Sequence, residues 1–217
     1  MILLIGNHKG GVGKSTLTVN LAATYQAAGH SVVVVEADPS IKTASRWADD
    51  REELGHSHIM TIRKEGRLGA TLRELDEQHD LVLVDTAGKD SKELRSAMIA
   101  ADLMLIPTRP AQADLDATVD LMEMIDEAQD MNPELIPLVV ISQASTHAMS
   151  SEALEAKEYL AQAAAKAKVA DVVVHQRKAY QVALAEGKGV VEGADSKAKA
   201  EIQLLAQEIL TLTEKKR

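Results

Sequence analysis

The residues best suited to chemistry stand together near the start of the chain, in the run His8-Lys9-Gly10-Gly11-Val12-Gly13-Lys14-Ser15-Thr16. Glycines in such a run let successive backbone N–H groups curl around phosphate oxygens, where a Cβ would block both the dihedrals and the close approach. A helix beginning near Lys14 then points its free N–H groups and the positive end of its dipole at the same anion. In this pattern Lys14 bridges the β- and γ-phosphates of a nucleoside triphosphate, the Ser15 hydroxyl completes a Mg²⁺ shell, and Thr16 donates to the α-phosphate. Against the general form G-x-x-x-x-G-K-[ST], the first glycine is replaced by His8. Gly10 and Gly11 compensate, and Lys9 adds a cation whose plainest reading is solvent exposure in a loop.

Positioning such a loop requires a strand before it and a helix after it, and the sequence supplies both many times over. Continuous apolar runs at 2–6, 31–37, 58–63, 80–86, 102–108, 135–142 and 169–174 read as strands buried on both faces. Helical stretches lie between them at 14–28, about 40–54, 68–78, 90–101, 113–130 and 150–167, with two more at about 177–186 and 195–213. Gly29, Gly55 and Asn132-Pro133 stop three of them. Alternation of this kind predicts βαβ crossovers in an α/β fold: a doubly wound, mostly parallel sheet of about seven or eight strands with helices on both faces. With no repeat or linker in view, residues 1–217 are expected to form a single domain.

Composition bounds the chemistry. The 217 residues include no Cys, which excludes disulfides, thiolate zinc sites, iron–sulfur clusters and a cysteine nucleophile. No apolar run approaches a membrane span or the core of a signal peptide, so a cytoplasmic location is expected. The net charge of −9 is unevenly spread, for no Lys or Arg occurs between Arg109 and Lys157, whereas Asp114, Asp116, Asp120, Glu123, Asp126, Glu127, Asp130 and Glu134 crowd that interval. That stretch reads as a solvated helix face or as a landing surface for a basic partner. Nucleic-acid binding would need a local basic patch, since the global sign opposes it.

The segment KGGVGKST, with a second lysine at the start of the loop, resembles the deviant Walker A motif of the ParA/MinD superfamily of P-loop ATPases, and the likeness runs the whole chain. The resemblance implies that ATP and Mg²⁺ are the cofactors. It implies that Lys9 reaches across a dimer interface to the phosphates held by the other subunit, as an arginine finger does at a gain of about 10³–10⁵ in rate. Glu36-Ala37-Asp38-Pro39-Ser40 is similar to the family's D-x-D-P-Q motif, which makes Asp38 the residue that orients or activates the attacking water. Glu36 and Ser40 depart from that motif, and Asp-Pro is also a common turn initiator. Leu81–Gly88 resembles a Walker B strand followed by a D-T-x-G switch, with Asp85 on Mg²⁺ and the Gly88 N–H sensing the γ-phosphate. Ile106-Pro107-Thr108-Arg109-Pro110 with Asp114 resembles the P-x-x-P-S-x-x-D segment, which places Pro107 near the nucleotide at the dimer interface. Gln143 falls where the family reads adenine.

The implied site is therefore Lys9, Lys14 and Asp38 for catalysis, Lys9 to Thr16 with Asp85, Gly88, Pro107 and Gln143 for the nucleotide, and Ser15 and Asp85 for the metal. His175 to Tyr180, with Gly187 and Gly189, is similar to small ParF-type partition ATPases. The chain opens directly on its first strand, so no helix-turn-helix domain is expected ahead of it. The final helix, with Ile202, Leu204, Leu205, Ile209, Leu210 and Leu212 but no aromatic, is expected to dock on the core rather than on lipid, and Lys215-Lys216-Arg217 is too short a basic tail for membrane attachment. What the resemblance implies is an ATP-driven homodimer that binds DNA non-specifically, through cations drawn from Lys166, Lys168, Arg177, Lys178, Lys188, Lys197 and Lys199, and so associates with the nucleoid. A small, basic centromere-binding protein would stimulate hydrolysis and release. Rival readings are a positioning ATPase for another cargo, such as conjugative transfer or a protein compartment, and a metabolic P-loop synthetase.

Overall fold

The computed structural model describes residues 1–40, 42–147 and 149–214. The elements run β1 (Ile2–Ile5), α1 (Lys14–Ala27), β2 (Val32–Glu36), α2 (Thr43–Glu53), β3 (Met60–Arg63), α3 (Gly69–Asp76), β4 (Leu81–Asp85), α4 (Lys92–Met98), β5 (Leu103–Thr108), α5 (Gln112–Gln129), β6 (Ile136–Ala144), α6 (Glu152–Ala163), β7 (Lys168–His175), α7 (Lys178–Ala185), a 3₁₀ turn at Val190–Glu192 and α8 (Ser196–Glu214). Seven strands form one sheet in the order β3-β2-β4-β1-β5-β6-β7. Every pairing in it is parallel.

Period-two alternation explains the unbroken apolar strands. Leu3, Ile5, Val34, Leu83 and Leu105 face one core with Tyr25, Trp47, Ile202 and Ile209 from the helices. Their neighbours Leu4, Val33, Val35, Val84 and Met104 face the other, with Leu72, Leu94, Leu121 and Leu160. Helices α1, α2, α7 and α8 thus cover one face, and α3 to α6 the other. The expectation that all seven strands are buried on both faces fails at the two edges. β3 and β7 have only one neighbour each, and their side chains are largely half-buried or exposed, as at Met60 and Asp171. α2 and α6 are also shorter than expected, starting at Thr43 and ending at Ala163.

The final helix docks as expected, with Ile202, Leu205 and Ile209 in the core, although Leu204 points outward. Lys215, Lys216 and Arg217 lie outside the described residues. Among the described residues no helix is long and apolar enough to cross a membrane.

α2 is locked in place by a buried cation. Arg51 donates to both carboxylate oxygens of Glu192 at 2.8 Å, to the Gly187 carbonyl at 3.0 Å and to the Ser57 carbonyl at 2.6 Å. Its guanidinium lies 5.4 Å from the centre of the Trp47 ring, and the indole N–H donates to the Lys188 carbonyl at 3.1 Å. Gly187, at φ +61°, sits so close that a Cβ would come within 2.5 Å of the Arg51 nitrogen. Removing the Arg51 side chain leaves the Gly187 and Ser57 carbonyls without their charged donor and opens a cavity beside Trp47. Arg51→Ala is therefore expected to cost about 3 kcal/mol of stability, read as a lowered midpoint in urea denaturation.

Candidate nucleotide site

The phosphate loop leaves β1 and is held from below by side chains aimed at its backbone. Asn7 is fully buried; its amide donates to the Pro107 carbonyl at 2.8 Å and to the Thr118 hydroxyl at 3.3 Å, and its Oδ1 accepts from the Lys9 N–H at 3.1 Å. From the end of β6, the Ser142 hydroxyl donates to the Val12 carbonyl at 2.8 Å and the Gln143 amide donates to the Gly11 carbonyl at 2.7 Å. Gly11 and Gly13 take φ of +75° and +91°, the left-handed region that glycine enters without strain. α1 then begins at Lys14 with no acidic residue in its first turn, so its positive end is uncompensated. Lys14 is 8% exposed, and its ammonium donates to the Lys9 carbonyl at 2.8 Å, closing the loop on itself. Burial pulls its pKa down, against the opposing pull of Asp85 and Asp38.

At the end of β4, Asp85 is buried and one of its oxygens, Oδ1, has no partner among the described residues. Desolvation pushes its pKa up to about 7, an effect the Ser15 hydroxyl and Lys14 oppose and Glu36 and Asp38 reinforce. A buried carboxylate with an orphaned oxygen beside a hydroxyl fits a hydrated divalent cation, which is the donor set Ser15 and Asp85 were expected to form. Asp38 is half-buried in the connection that follows β2, its Oδ1 accepting from the Ser40 N–H at 2.9 Å and the Ser40 hydroxyl at 2.6 Å. The loop after β4 lies directly on the phosphate loop: a Cβ on Gly88 would stand 2.8 Å from Gly10 Cα and 2.9 Å from the Lys9 carbonyl carbon.

The structure therefore brings Lys9 to Thr16, Asp38, Asp85 and Gly88 to one end of the sheet. Two further expected residues have structural contacts of their own. Pro107 lies inside β5, paired with Val140 and buried, and its carbonyl accepts from Asn7, which holds the loop. Gln143, at φ +53° the one non-glycine residue in the left-handed region among the described residues, directs its amide to Gly11 and clamps the loop. Beside it a cavity of about 150 Å³ is lined by Thr16, Gln143, Gln176, Arg177, Tyr180 and Gln181, among others. A larger cleft of about 590 Å³ opens at the opposite ends of the strands, beside Ser31, Asp80 and Asp102, and holds none of the phosphate-loop groups.

The surroundings correct two more expectations. Asp114 is buried and accepts from Arg109 Nε at 2.6 Å, so it is no part of an acidic landing surface. The seven candidate cations do not share one surface. Lys166 pairs with Asp126 of α5 on one side of the sheet, while Arg177 pairs with Glu201 at 2.7 Å and Lys188 with Glu186 at 2.9 Å among the helices of the other. Lys178 and Lys197 are exposed where α7 and α8 begin. Sequence reasoning missed Asn7, Ser142 and Glu201. The last is a buried carboxylate that gathers His175 at 2.8 Å, Arg177 and Tyr180 at 3.0 Å along the wall of the smaller cavity. Among polar residues of an amphipathic helix only Glu201's register, four short of Leu205, hinted at burial.

An all-parallel sheet whose first strand feeds a glycine loop and a helix start, with an acid at the end of the adjacent strand, defines a P-loop nucleotide-binding protein. Residues 3–190 match the CobQ/CobB/MinD/ParA nucleotide binding domain, and the chain belongs to that family. It is 29% identical over 213 residues to maintenance of carboxysome distribution protein A from Halothiobacillus neapolitanus, covering 96% of this chain and 95% of that protein. It is 27% identical over 158 residues to protein ParA from Rhizobium radiobacter, covering 73% and 68% of the two chains. Among solved structures, an ATP complex of Cyanothece McdA matches with a TM-score of 0.79 at 15% identity, over 97% of this chain and 96% of the other, a likeness of fold.

Two outcomes follow from the site. Gly88→Ala forces the β4–α4 loop off Gly10, and nucleotide affinity measured by calorimetry is expected to fall about tenfold or more while the melting temperature of the free protein changes little. Asp85→Asn removes a buried charge whose raised pKa favours the folded state at low pH and loses that contribution as pH rises through about 7. The free variant should gain on the wild type by a few kcal/mol, in order of magnitude, between pH 5 and pH 8, while Mg²⁺ no longer raises its affinity for nucleotide.

Proposed function

We propose that the chain is a cargo-positioning ATPase of the ParA/MinD kind, in which Mg·ATP drives a face-to-face homodimer and hydrolysis returns it to monomers. The observation that carries this reading is the division of labour between two lysines of one loop. Lys14 is buried and turned into its own cradle, whereas the ammonium of Lys9 makes no ion pair among the described residues. In this reading Gly10, Gly11, Val12 and Gly13 present backbone N–H groups to the phosphates, Lys14 bridges the outer two, and Thr16 binds the inner one. Ser15 and Asp85 hold Mg²⁺, which when bound neutralises the phosphate charge there. Asp38 orients a water and takes its proton as the water oxygen bonds to the γ-phosphorus and the bond to the bridging oxygen breaks. Gly88 reports through its N–H whether the γ-phosphate is present, and Lys9 completes the site of the partner subunit.

The cargo is a protein compartment in the reading we favour, because the Halothiobacillus relative, named for carboxysome distribution, aligns over nearly the whole of both chains. DNA segregation is the second reading, supported by the Rhizobium ParA, and there the partner is a small, basic centromere-binding protein. Either cycle uses non-specific DNA as its track, with Lys178 and Lys197 among the contacts and cytoplasmic dimers resting on the nucleoid while ATP is bound. No membrane is involved. A partner with a basic segment meets the exposed acids of α5, such as Asp120 and Glu123.

Size measurement with ATP and with ADP tests the switch. The wild type should dimerise with ATP alone, and Lys9→Ala should bind ATP with near-normal affinity yet stay monomeric; a Lys9→Ala chain that dimerises normally removes the in-trans role. Retention on DNA of arbitrary sequence should require ATP and fall steeply as salt rises from about 50 to 200 mM. Loss of retention in Lys178→Glu with Lys197→Glu, at unchanged dimerisation, is the expected companion result.

A further inference from the structure

Glu36 is a buried carboxylate, 2% exposed, at the end of a strand otherwise made of valine. Its place there is costly, for it pairs in register with Asp85 across the β2–β4 ladder and adds to the negative field at that residue. What it gains lies beyond the strand. Oε1 accepts from the N–H of Ala44 at 2.8 Å and from that of Ser45 at 3.4 Å, and Oε2 accepts from the Ser45 hydroxyl. Arg63 Nε stands 3.7 Å from the same carboxylate on the far side, from the neighbouring edge strand.

Those two N–H groups belong to the first turn of α2, which has no cap of its own. Lys42, at the N-cap position, makes no side-chain capping bond, and the first turn contains no acidic residue. Glu36 thus caps a helix that starts seven residues further along the chain, and its negative charge meets the positive end of the helix dipole. The far end of α2 is fixed independently by Arg51 against Glu192 and Gly187. Asp38 sits in the connection whose two ends the Glu36 side chain ties together, anchored within it by the turn to Ser40.

We propose that Glu36 is a positioning residue for Asp38: its carboxylate staples the start of α2 to the end of β2 and so fixes the span that presents Asp38 to the phosphate loop. The inference rests on the hydrolytic role proposed for Asp38. It separates a geometric duty from an electrostatic one, because an uncharged glutamine keeps the oxygen that accepts from Ala44 and Ser45, and the Ser45 hydroxyl can turn to accept from the new amide.

The test uses the full chain with Mg·ATP, measuring turnover, ATP affinity and melting temperature for Glu36→Gln, Glu36→Ala, Ser45→Ala and Asp38→Ala. Glu36→Gln should keep kcat within about threefold of the wild type, whereas Glu36→Ala should lower it about tenfold or more with ATP affinity within about threefold, the pattern of a misplaced reacting group. Ser45→Ala, which removes one bond of the staple, should fall between them. Equal losses in the glutamine and alanine variants would show that charge, not reach, is what matters, and would overturn the proposal. So would wild-type turnover in Glu36→Ala or, should that variant not fold, in Ser45→Ala. Unchanged turnover in Asp38→Ala would sink the hydrolytic reading and this inference with it, whereas loss there with none in Glu36→Ala sinks this inference alone.

Discussion

Charge balance at the ends of two adjacent strands constrains everything else in this molecule. β2 and β4 bring Glu36, Asp38 and Asp85 together, and the cation facing them from the phosphate loop is the single ammonium of Lys14. Glu36 is relieved by the start of α2, with Arg63 at longer range; Asp85 keeps one oxygen, Oδ1, with no partner among the described residues. Adding a triphosphate to such a centre makes the deficit of positive charge larger. In the proposed cycle a divalent cation between Ser15 and Asp85 meets part of it, and the dipole of α1 meets another part. The same proposal draws the remainder from the other subunit's Lys9, which makes no ion pair among the described residues.

The surrounding fold serves to keep that centre tight while leaving its mouth open. The loop backbone is gripped at Lys9 by Asn7, which follows β1, and at Gly11 and Val12 by Gln143 and Ser142 from the end of β6. Gly88 lets the loop after β4 rest on Gly10 with no side chain between. The phosphate loop and the segment after β4 are thus in direct backbone contact, and close-packed contacts of that kind have little room to deform gradually. α2 carries the consequences in the other direction, since its start is tied to Glu36 and its end to the segment before α8.

Much of this was legible in the amino-acid sequence because its signals are local. Continuous valine and leucine runs marked five buried strands, and the glycine-lysine run marked the phosphate loop between a strand and a helix. Where legibility failed, the deciding partner was distant along the chain. The runs at 58–63 and 169–174 look like inner strands, and only the sheet order makes them edges. Gln143 meets Gly11 across 132 positions, and nothing near Gln143 announces that its amide holds the loop backbone. Glu201 appeared as one more polar residue of the last helix until β7 and α7 placed His175, Arg177 and Tyr180 around it. Glu36 was visible as a departure from a motif, but its reach to Ala44 depends on where α2 starts.

Complementation between two defective chains addresses the shared site directly. On the proposed cycle, a Lys9→Ala protomer retains Lys14, Asp38 and Asp85 but offers no cation to its neighbour, and an Asp38→Ala protomer offers the cation but cannot activate water. Each alone should hydrolyse ATP at no more than a few per cent of the wild-type rate, on the order of what loss of an in-trans cation costs. Mixed in equal amounts, they should regain turnover, since the Asp38→Ala chain lends its Lys9 to an otherwise intact centre. A mixture no more active than its components would contradict the shared site and confine Lys9 to its own subunit.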